Sequence, residues 1–408
     1  MTAVRIPPTL RAEVGGERSV EAEGDTVRAV LEDLVARHPA LGAQIFSDGE
    51  VATFVNVYLG GEDVRTLDGL DTAVTPGQTV ILLPAMAGGS TPPRSLPVVS
   101  SLLDLVGNTP LVELTRISPK STVKMYAKLE GQNPTGSIKD RVAKSMIEAA
   151  EASGELTPGR HLLEPTSGNT GHSLAMIAKL RGYPLTCVMP ENATEERKRM
   201  LRLYGAEIVL SPGAEGSNGA VRLALGLAER DSKYFMPFQY ANPANPRAHY
   251  ETTGPEILDA CPEIDAFVAG LGTGGTLTGV ARYFRDHKPG VKIYAAEPMP
   301  GENVQGLRSL EDGFVPEVFD PSLLDGKYLV SNREAIVALR ELIAREGIFA
   351  GPSCGAVLVA AARVALAMGH GTIVALLPDG GWKYMSAGTY DRDLAEMEDA
   401  LEGGVHWW

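Results

Sequence analysis

Past residue 160 the chain repeats one pattern. Short apolar runs at 161–164, 185–189 and 266–271 are each followed by a helix-like stretch: from His172, over 194–204, and over 277–287. A strand that passes through a helix before the next strand makes a crossover, and crossovers join parallel neighbours. The pattern predicts an α/β fold, a parallel sheet with helices on both faces. The 45 glycines suit the many tight strand-to-helix turns of such a fold, and 408 residues exceed one average domain, so two or three are expected.

The first 89 residues break the pattern. Val27, Val30, Leu31, Leu34 and Val35 recur at helical spacing and give one apolar face, with Asp25 or Thr26 available as a cap. Residues 53–59 and 79–83 are β-rich, and Gly60-Gly61 and Pro76-Gly77 supply turns. A single helix against a small mixed sheet is expected. The segment closes on Gly88-Gly89, and a linker follows over 90–100, Pro-rich through residue 97.

Charge narrows the partners. The net charge is −14, and residues 1–90 hold 6 Arg, no Lys and 13 Asp+Glu, which accounts for half of it. Nucleic acid and an anionic membrane would both be repelled. Cys187, Cys261 and Cys354 are far apart, and the 7 His show no paired spacing, so no metal site is expected. The start lacks a signal-type apolar run, and the apolar stretch 357–368 is short and carries Arg363; a cytoplasmic chain with no membrane span is expected.

Three loops carry chemistry. In Asn133-Pro134-Thr135-Gly136-Ser137-Ile138-Lys139-Asp140-Arg141, Pro134 and Gly136 shape a turn and Ser137 is placed to cap a helix with Asp140 at its third position. Lys139 then lies in the first turn, where the helix dipole opposes a cation and favours a neutral amine. In Glu164-Pro165-Thr166-Ser167-Gly168-Asn169-Thr170-Gly171, a strand end meets a helix start, a place where α/β folds bind anionic ligands. In Gly272-Thr273-Gly274-Gly275-Thr276, glycines let backbone amides approach a phosphate. Read alone, the run from Gly270 to Gly275 is also a GxGxxG, with Glu297 where a dinucleotide fold places its ribose acid. An NAD-dependent oxidoreductase is the rival on that piece, but it leaves the first two loops without a role.

Together the three loops resemble the cysteine synthase and cystathionine β-synthase family of pyridoxal 5'-phosphate (PLP) enzymes, fold type II. The resemblance is firm from about Leu102 to Gly388, in an enzyme domain expected over 101–408 with a smaller subdomain at about 134–240. It implies that Lys139 forms the Schiff base with PLP and acts as the base at the substrate Cα. Thr166, Ser167 and Thr170 would grip the substrate carboxylate, and Asn169 the cofactor's phenolic oxygen. Gly272, Thr273, Gly274, Gly275 and Thr276 would hold the phosphate. Ser353, in Gly351-Pro352-Ser353-Cys354-Gly355, would face the pyridine nitrogen, unless it simply caps a helix. A hydroxyl there leaves the ring a weaker electron sink, which suits elimination over transamination. Cys354 is expected to pack rather than react. Gln239 matches a residue lining the site.

Arg308 stands where the branch using O-phosphoserine carries an arginine, and a guanidinium pairs with a phosphate dianion through two parallel bonds. An isolated arginine is otherwise usually solvent-facing. O-Phosphoserine is therefore expected as substrate, with O-acetylserine sulfhydrylase and cystathionine β-synthase as alternatives. Residues 1–89 resemble β-grasp, ubiquitin-like sulfur carriers whose terminal Gly-Gly becomes a thiocarboxylate. Gly88 and Gly89 match that ending, but Ser90 continues the chain. Either a protease cuts after Gly89, or the module stays attached for docking or regulation. The resemblance implies a carrier-activating adenylyltransferase, a processing peptidase and a homodimer. The tail His406-Trp407-Trp408 either covers the site's mouth or frays.

Overall fold

The computed structural model describes residues 1–47, 50–52, 55–84, 98–166 and 168–394. It divides into two units, Met1–Val98 and Val99–Trp408.

The first unit contains β1 (Thr2–Arg5), β2 (Ser19–Ala22), α1 (Val27–Arg37), the short α2 (Gly42–Ile45), a small hairpin of β3 (Phe46–Ser47) and β4 (Glu50–Val51), then β5 (Val55–Leu59), β6 (Glu62–Asp63) and β7 (Thr79–Pro84). The main sheet runs β2-β1-β7-β5-β6. Its two central strands are parallel, with Val4 opposite Val80, and the outer pairs are antiparallel. Thr26, not Asp25, caps α1, its hydroxyl accepting the Ala29 N–H at 3.2 Å. Val27, Val30, Leu31 and Leu34 are fully buried against Val4, Val57, Leu59, Val80 and Leu82. One amphipathic helix has one sheet face to cover, and this is the β-grasp arrangement.

The second unit adds β8 (Leu111–Glu113), β9 (Val123–Leu129), α3 (Lys139–Ser153), β10 (His161–Pro165), α4 (Asn169–Arg181), β11 (Leu185–Pro190), α5 (Glu195–Leu203), β12 (Glu207–Ser211), α6 (Gly216–Arg230), β13 (Tyr234–Phe235), α7 (Ala244–Ala248), α8 (Gly254–Ala260), β14 (Ala266–Gly270), α9 (Gly275–His287), β15 (Lys292–Pro298), β16 (Gly326–Val330), α10 (Asn332–Glu346), α11 (Pro352–Ala367) and β17 (Gly371–Leu377). Two sheets result, β12-β11-β10-β13 and β16-β15-β14-β17-β9-β8. Every pair is parallel except β8 with β9. Buried on both faces, β11, β14 and β17 read as continuous apolar runs rather than alternating ones. No described helix is long and apolar enough to cross a membrane, and no described His, Cys, Asp and Glu cluster could hold a metal ion.

A buried ion cluster pins α3 to its surroundings. The Arg141 guanidinium bridges Glu130 at 2.8 Å and Glu256 at 2.6 Å, while Lys128 reaches Glu256 at 2.6 Å. Burial pushes the Glu256 carboxyl up, but the bonds and charges of Arg141 and Lys128 outweigh it and hold it at about 2. Removing Glu130 takes one of the two carboxylates from the buried Arg141 guanidinium and leaves its Nε–H without a partner. Glu130→Ala is therefore expected to destabilise the protein by about 3–5 kcal/mol, read from the urea midpoint.

Candidate active site

Four loops converge where strands of both sheets end at their carboxyl termini, the usual ligand position in α/β folds. After β9 the chain turns at Gly136, where φ is 78° and an added Cβ would strike the Trp382 ring. Ile138 donates its N–H to the Pro378 carbonyl at 2.8 Å. Helix α3 then begins at Lys139, whose N–H is accepted by the Ser137 hydroxyl at 3.2 Å. Ser137 thus caps from one residue further back than expected, and Asp140 is the second helical residue, not the third. Its carboxylate turns back to accept the Thr135 N–H at 2.7 Å and the Ser173 hydroxyl at 2.6 Å. The Lys139 amine has no hydrogen bond or ion pair among the described residues. Burial lowers it below the ordinary lysine range, against the opposing charge of Asp379.

After β10, Thr166 accepts the Gly171 N–H at 3.1 Å, which leaves its own proton free to be donated. Ser167 lies outside the described residues. The Thr170 hydroxyl donates to Gln239 Oε1 at 2.7 Å, and the Gln239 N–H is held by Glu164 at 3.1 Å. Burial pushes Glu164 up to about 7 against the Gln239 and Phe238 N–H bonds. Helix α4 starts at Asn169, three residues earlier than the apolar pattern suggested, so the polar loop is itself the first turn.

After β14, Gly272, Thr273 and Gly274 give no backbone N–H to any described acceptor. Helix α9 follows at Gly275. Packing as well as ligand access dictates these glycines. A Cβ at Gly274 would meet Phe319 at 2.5 Å, and one at Gly275 would meet Asn245 Oδ1 at 2.0 Å. Thr273 accepts from Asn245 Nδ2 at 3.1 Å, and Thr276 pairs with the buried His249 ring at 3.2 Å. Ser353 is the second residue of α11, whose cap position is Gly351, so it does not cap the helix. It is buried beside Gly306, and its hydroxyl has no partner among the described residues.

A cavity of about 200 Å³ joins Lys139, Thr166, Asn169, Thr170, Gln239 and Arg308. A second, of about 30 Å³, runs from Lys139 to the glycine loop. Arg308 lies over the Tyr240 and Phe314 rings, 5.4 and 5.1 Å from their centroids, with no acidic partner among the described residues. Arg197, on α5, also lines the larger cavity and stands over Tyr384. Sequence reasoning missed Arg197, Asp379, Lys383 and Tyr384. The one available cue was that Asp379-Gly380-Gly381 follows the strand-like run before it. Gly88 and Gly89, the Pro-rich linker through residue 97 and the Trp407-Trp408 tail lie outside the described residues.

Comparison with known proteins decides the family. The model described as "Pyridoxal-phosphate dependent enzyme" matches residues 102–379. Cysteine synthase B of Escherichia coli is 44% identical over 296 residues, spanning 72% of this chain and 97% of that one. The chain belongs to the PLP-dependent cysteine synthase family.

Cysteine synthase of Staphylococcus aureus is 42% identical over 305 residues, with 72% and 98% coverage. Among solved structures, cysteine synthase of Entamoeba histolytica superposes with a TM-score of 0.70 at 31% identity, over 78% of this chain and 97% of its own. A hydrogen sulfide-producing enzyme of Fusobacterium nucleatum gives 0.68 at 38% identity, over 71% and 99%. The ThiS family model matches residues 4–89, so an N-terminal ubiquitin-like sulfur-carrier domain precedes the enzyme. The family's cofactor fits the residues present: among the described residues the Lys139 amine, the N–H groups of 272–274 and the Ser353 hydroxyl have no hydrogen-bond partner. The dinucleotide reading of the glycine loop fails on Glu297. Its buried carboxylate already accepts the Leu310 N–H at 2.8 Å and Lys327 Nζ at 2.7 Å.

Proposed function

We propose that this enzyme makes cysteine from O-phosphoserine by β-replacement, with sulfur supplied as sulfide or as the thiocarboxylate of a carrier such as its own front domain. Arg308 carries the choice of substrate. It is a cation without an acidic partner among the described residues, packed against the edge-to-face Tyr240–Phe314 pair at the wall of the cavity that Lys139 lines. A guanidinium in that setting favours a phosphate over an uncharged acetyl group. O-Acetylserine remains the second reading, because the Entamoeba histolytica structure is named as a cysteine synthase of that type (OASS).

Lys139 would hold PLP, which when bound would supply an electron sink at the substrate Cα. The residues do the rest. Once the substrate's own amine takes its place on the cofactor, the released Lys139 amine would take the Cα proton and return it after the sulfur nucleophile has added at Cβ in place of phosphate. The Thr166 hydroxyl and the Thr170–Gln239 pair would receive the substrate carboxylate, and Arg308 the departing phosphate. Ser353 meets the ring nitrogen without supplying a negative charge. We further place the enzyme in the cytoplasm as a homodimer, served by an adenylyltransferase and a peptidase. A cut after Gly89 would release the carrier, and intact mass from native cells reads that directly.

The deciding test is product analysis with each serine ester against each sulfur donor. Cysteine, or a carrier–cysteine adduct, should form faster from O-phosphoserine with either donor. Preference for O-acetylserine with both donors overturns the substrate assignment.

A further inference from the structure

Asn169 reaches the cavity from the start of α4, and its carboxamide is gripped at both ends by a turn 210 residues further on. Asn169 Nδ2 donates to Asp379 Oδ2 at 2.6 Å, and Asn169 Oδ1 accepts from Lys383 Nζ at 2.6 Å. Tyr384 donates its hydroxyl to the same Asp379 oxygen and lies 3.4 Å from Asn169 Nδ2. Asp379, Lys383 and Tyr384 are 3%, 6% and 5% exposed, so this is an interior network rather than a surface ion pair.

The chemistry of the two ends is opposite. An ammonium can only donate and a carboxylate can only accept. Were the amide turned over, its NH2 would face Lys383 and its oxygen would face Asp379, two repulsive contacts in a buried setting. The amide is therefore locked in one of its two orientations. The lock also spans the site: Asn169 follows a strand of the four-stranded sheet, and Asp379 follows β17 of the six-stranded one. Two further contacts join the segment after β17 to α5, which follows β11 of the same four-stranded sheet. Ser386 donates to Glu196 at 2.8 Å, and Arg197 stands 5.9 Å from the Tyr384 ring centroid.

We propose that Asp379 and Lys383 are positioning residues that orient the Asn169 carboxamide toward the cofactor and hold the two walls of the site in register. The inference rests on the reading of Asn169 as a cofactor contact. Neutralising either end removes one of the two repulsive contacts that oppose the turned-over amide, so its donor meets the cofactor less consistently.

The test uses the full-length holoenzyme with Asp379→Asn, Lys383→Met, Lys383→Arg and Asn169→Ala. Asp379→Asn and Lys383→Met should each shift the cofactor's visible absorbance in the direction Asn169→Ala shifts it. Each should also speed cofactor loss on dialysis about tenfold and lower kcat about tenfold, with the KM for the sulfur donor within twofold. Lys383→Arg should recover kcat to within threefold. If Asp379→Asn does not fold, Lys383→Met carries the test alone. Spectra and cofactor loss unchanged in both charge variants, while Asn169→Ala alters them, overturn this inference. No change in Asn169→Ala itself overturns the underlying reading of Asn169.

Discussion

Lys139→Ala loses turnover by at least roughly 10²–10⁴-fold, the contribution of a positioned proton-transfer group, and loses covalent attachment of the cofactor as well. Borohydride reduction of the parent holoenzyme followed by peptide mapping tags residue 139 and no other. The site makes this a sharp test, because a second buried lysine stands nearby. Burial lowers both Lys139 and Lys383 below the ordinary lysine range. Only their partners separate them. The Lys383 ammonium is committed to Asn169 Oδ1 at 2.6 Å, whereas the Lys139 amine is uncommitted and lines both cavities. A tag on the Lys383 peptide would remove the basis of the proposed mechanism.

Arg308→Ala selectively loses O-phosphoserine. Two charge-assisted bonds to the leaving phosphate are worth roughly 1.5–3 kcal/mol each, so kcat/KM should fall by about 10²–10⁴-fold. With O-acetylserine it should stay within about threefold, since no charge is left unmatched. Arg308→Lys keeps the charge but loses the planar fork and the stacking on Tyr240 and Phe314, and should recover only part of the loss. Steady-state kinetics with both esters reads the outcome. Undiminished O-phosphoserine turnover in Arg308→Ala would assign the phosphate to another group, and Arg197 is the first to examine because it lines the same cavity.

Local patterns carried the architecture because each is written in consecutive residues. The apolar runs at β10, β11 and β14 and the periodic face of α1 appear in the fold within a few residues of where the sequence put them. Helix starts came out late, at His172 instead of Asn169 and at Leu277 instead of Gly275. Polar and glycine-rich first turns carry no apolar periodicity, and here those turns line the cavities. Arg197, Asp379, Lys383 and Tyr384 escaped for a different reason. Asp379, Lys383 and Tyr384 meet Asn169 through sheet order, with β17 inserted between β14 and β9, and Arg197 reaches the cavity from α5; no spacing in the chain announces either. The glycines of the 272–276 loop had two reasons to be glycine, and the sequence suggested only ligand access. The crowding by Phe319 and Asn245 belongs to segments far away in the chain.

The indole that crowds Gly136 and Gly380 gives the lysine loop an optical reporter. The protein has 3 Trp, and two of them are the last two residues, so a chain shortened by its tail takes its tryptophan emission from Trp382 alone. Because that ring lies against the turn that presents Lys139, its emission would be quenched by energy transfer to a bound cofactor whose absorbance overlaps it. Cofactor capture and release could then be followed in real time without any added dye.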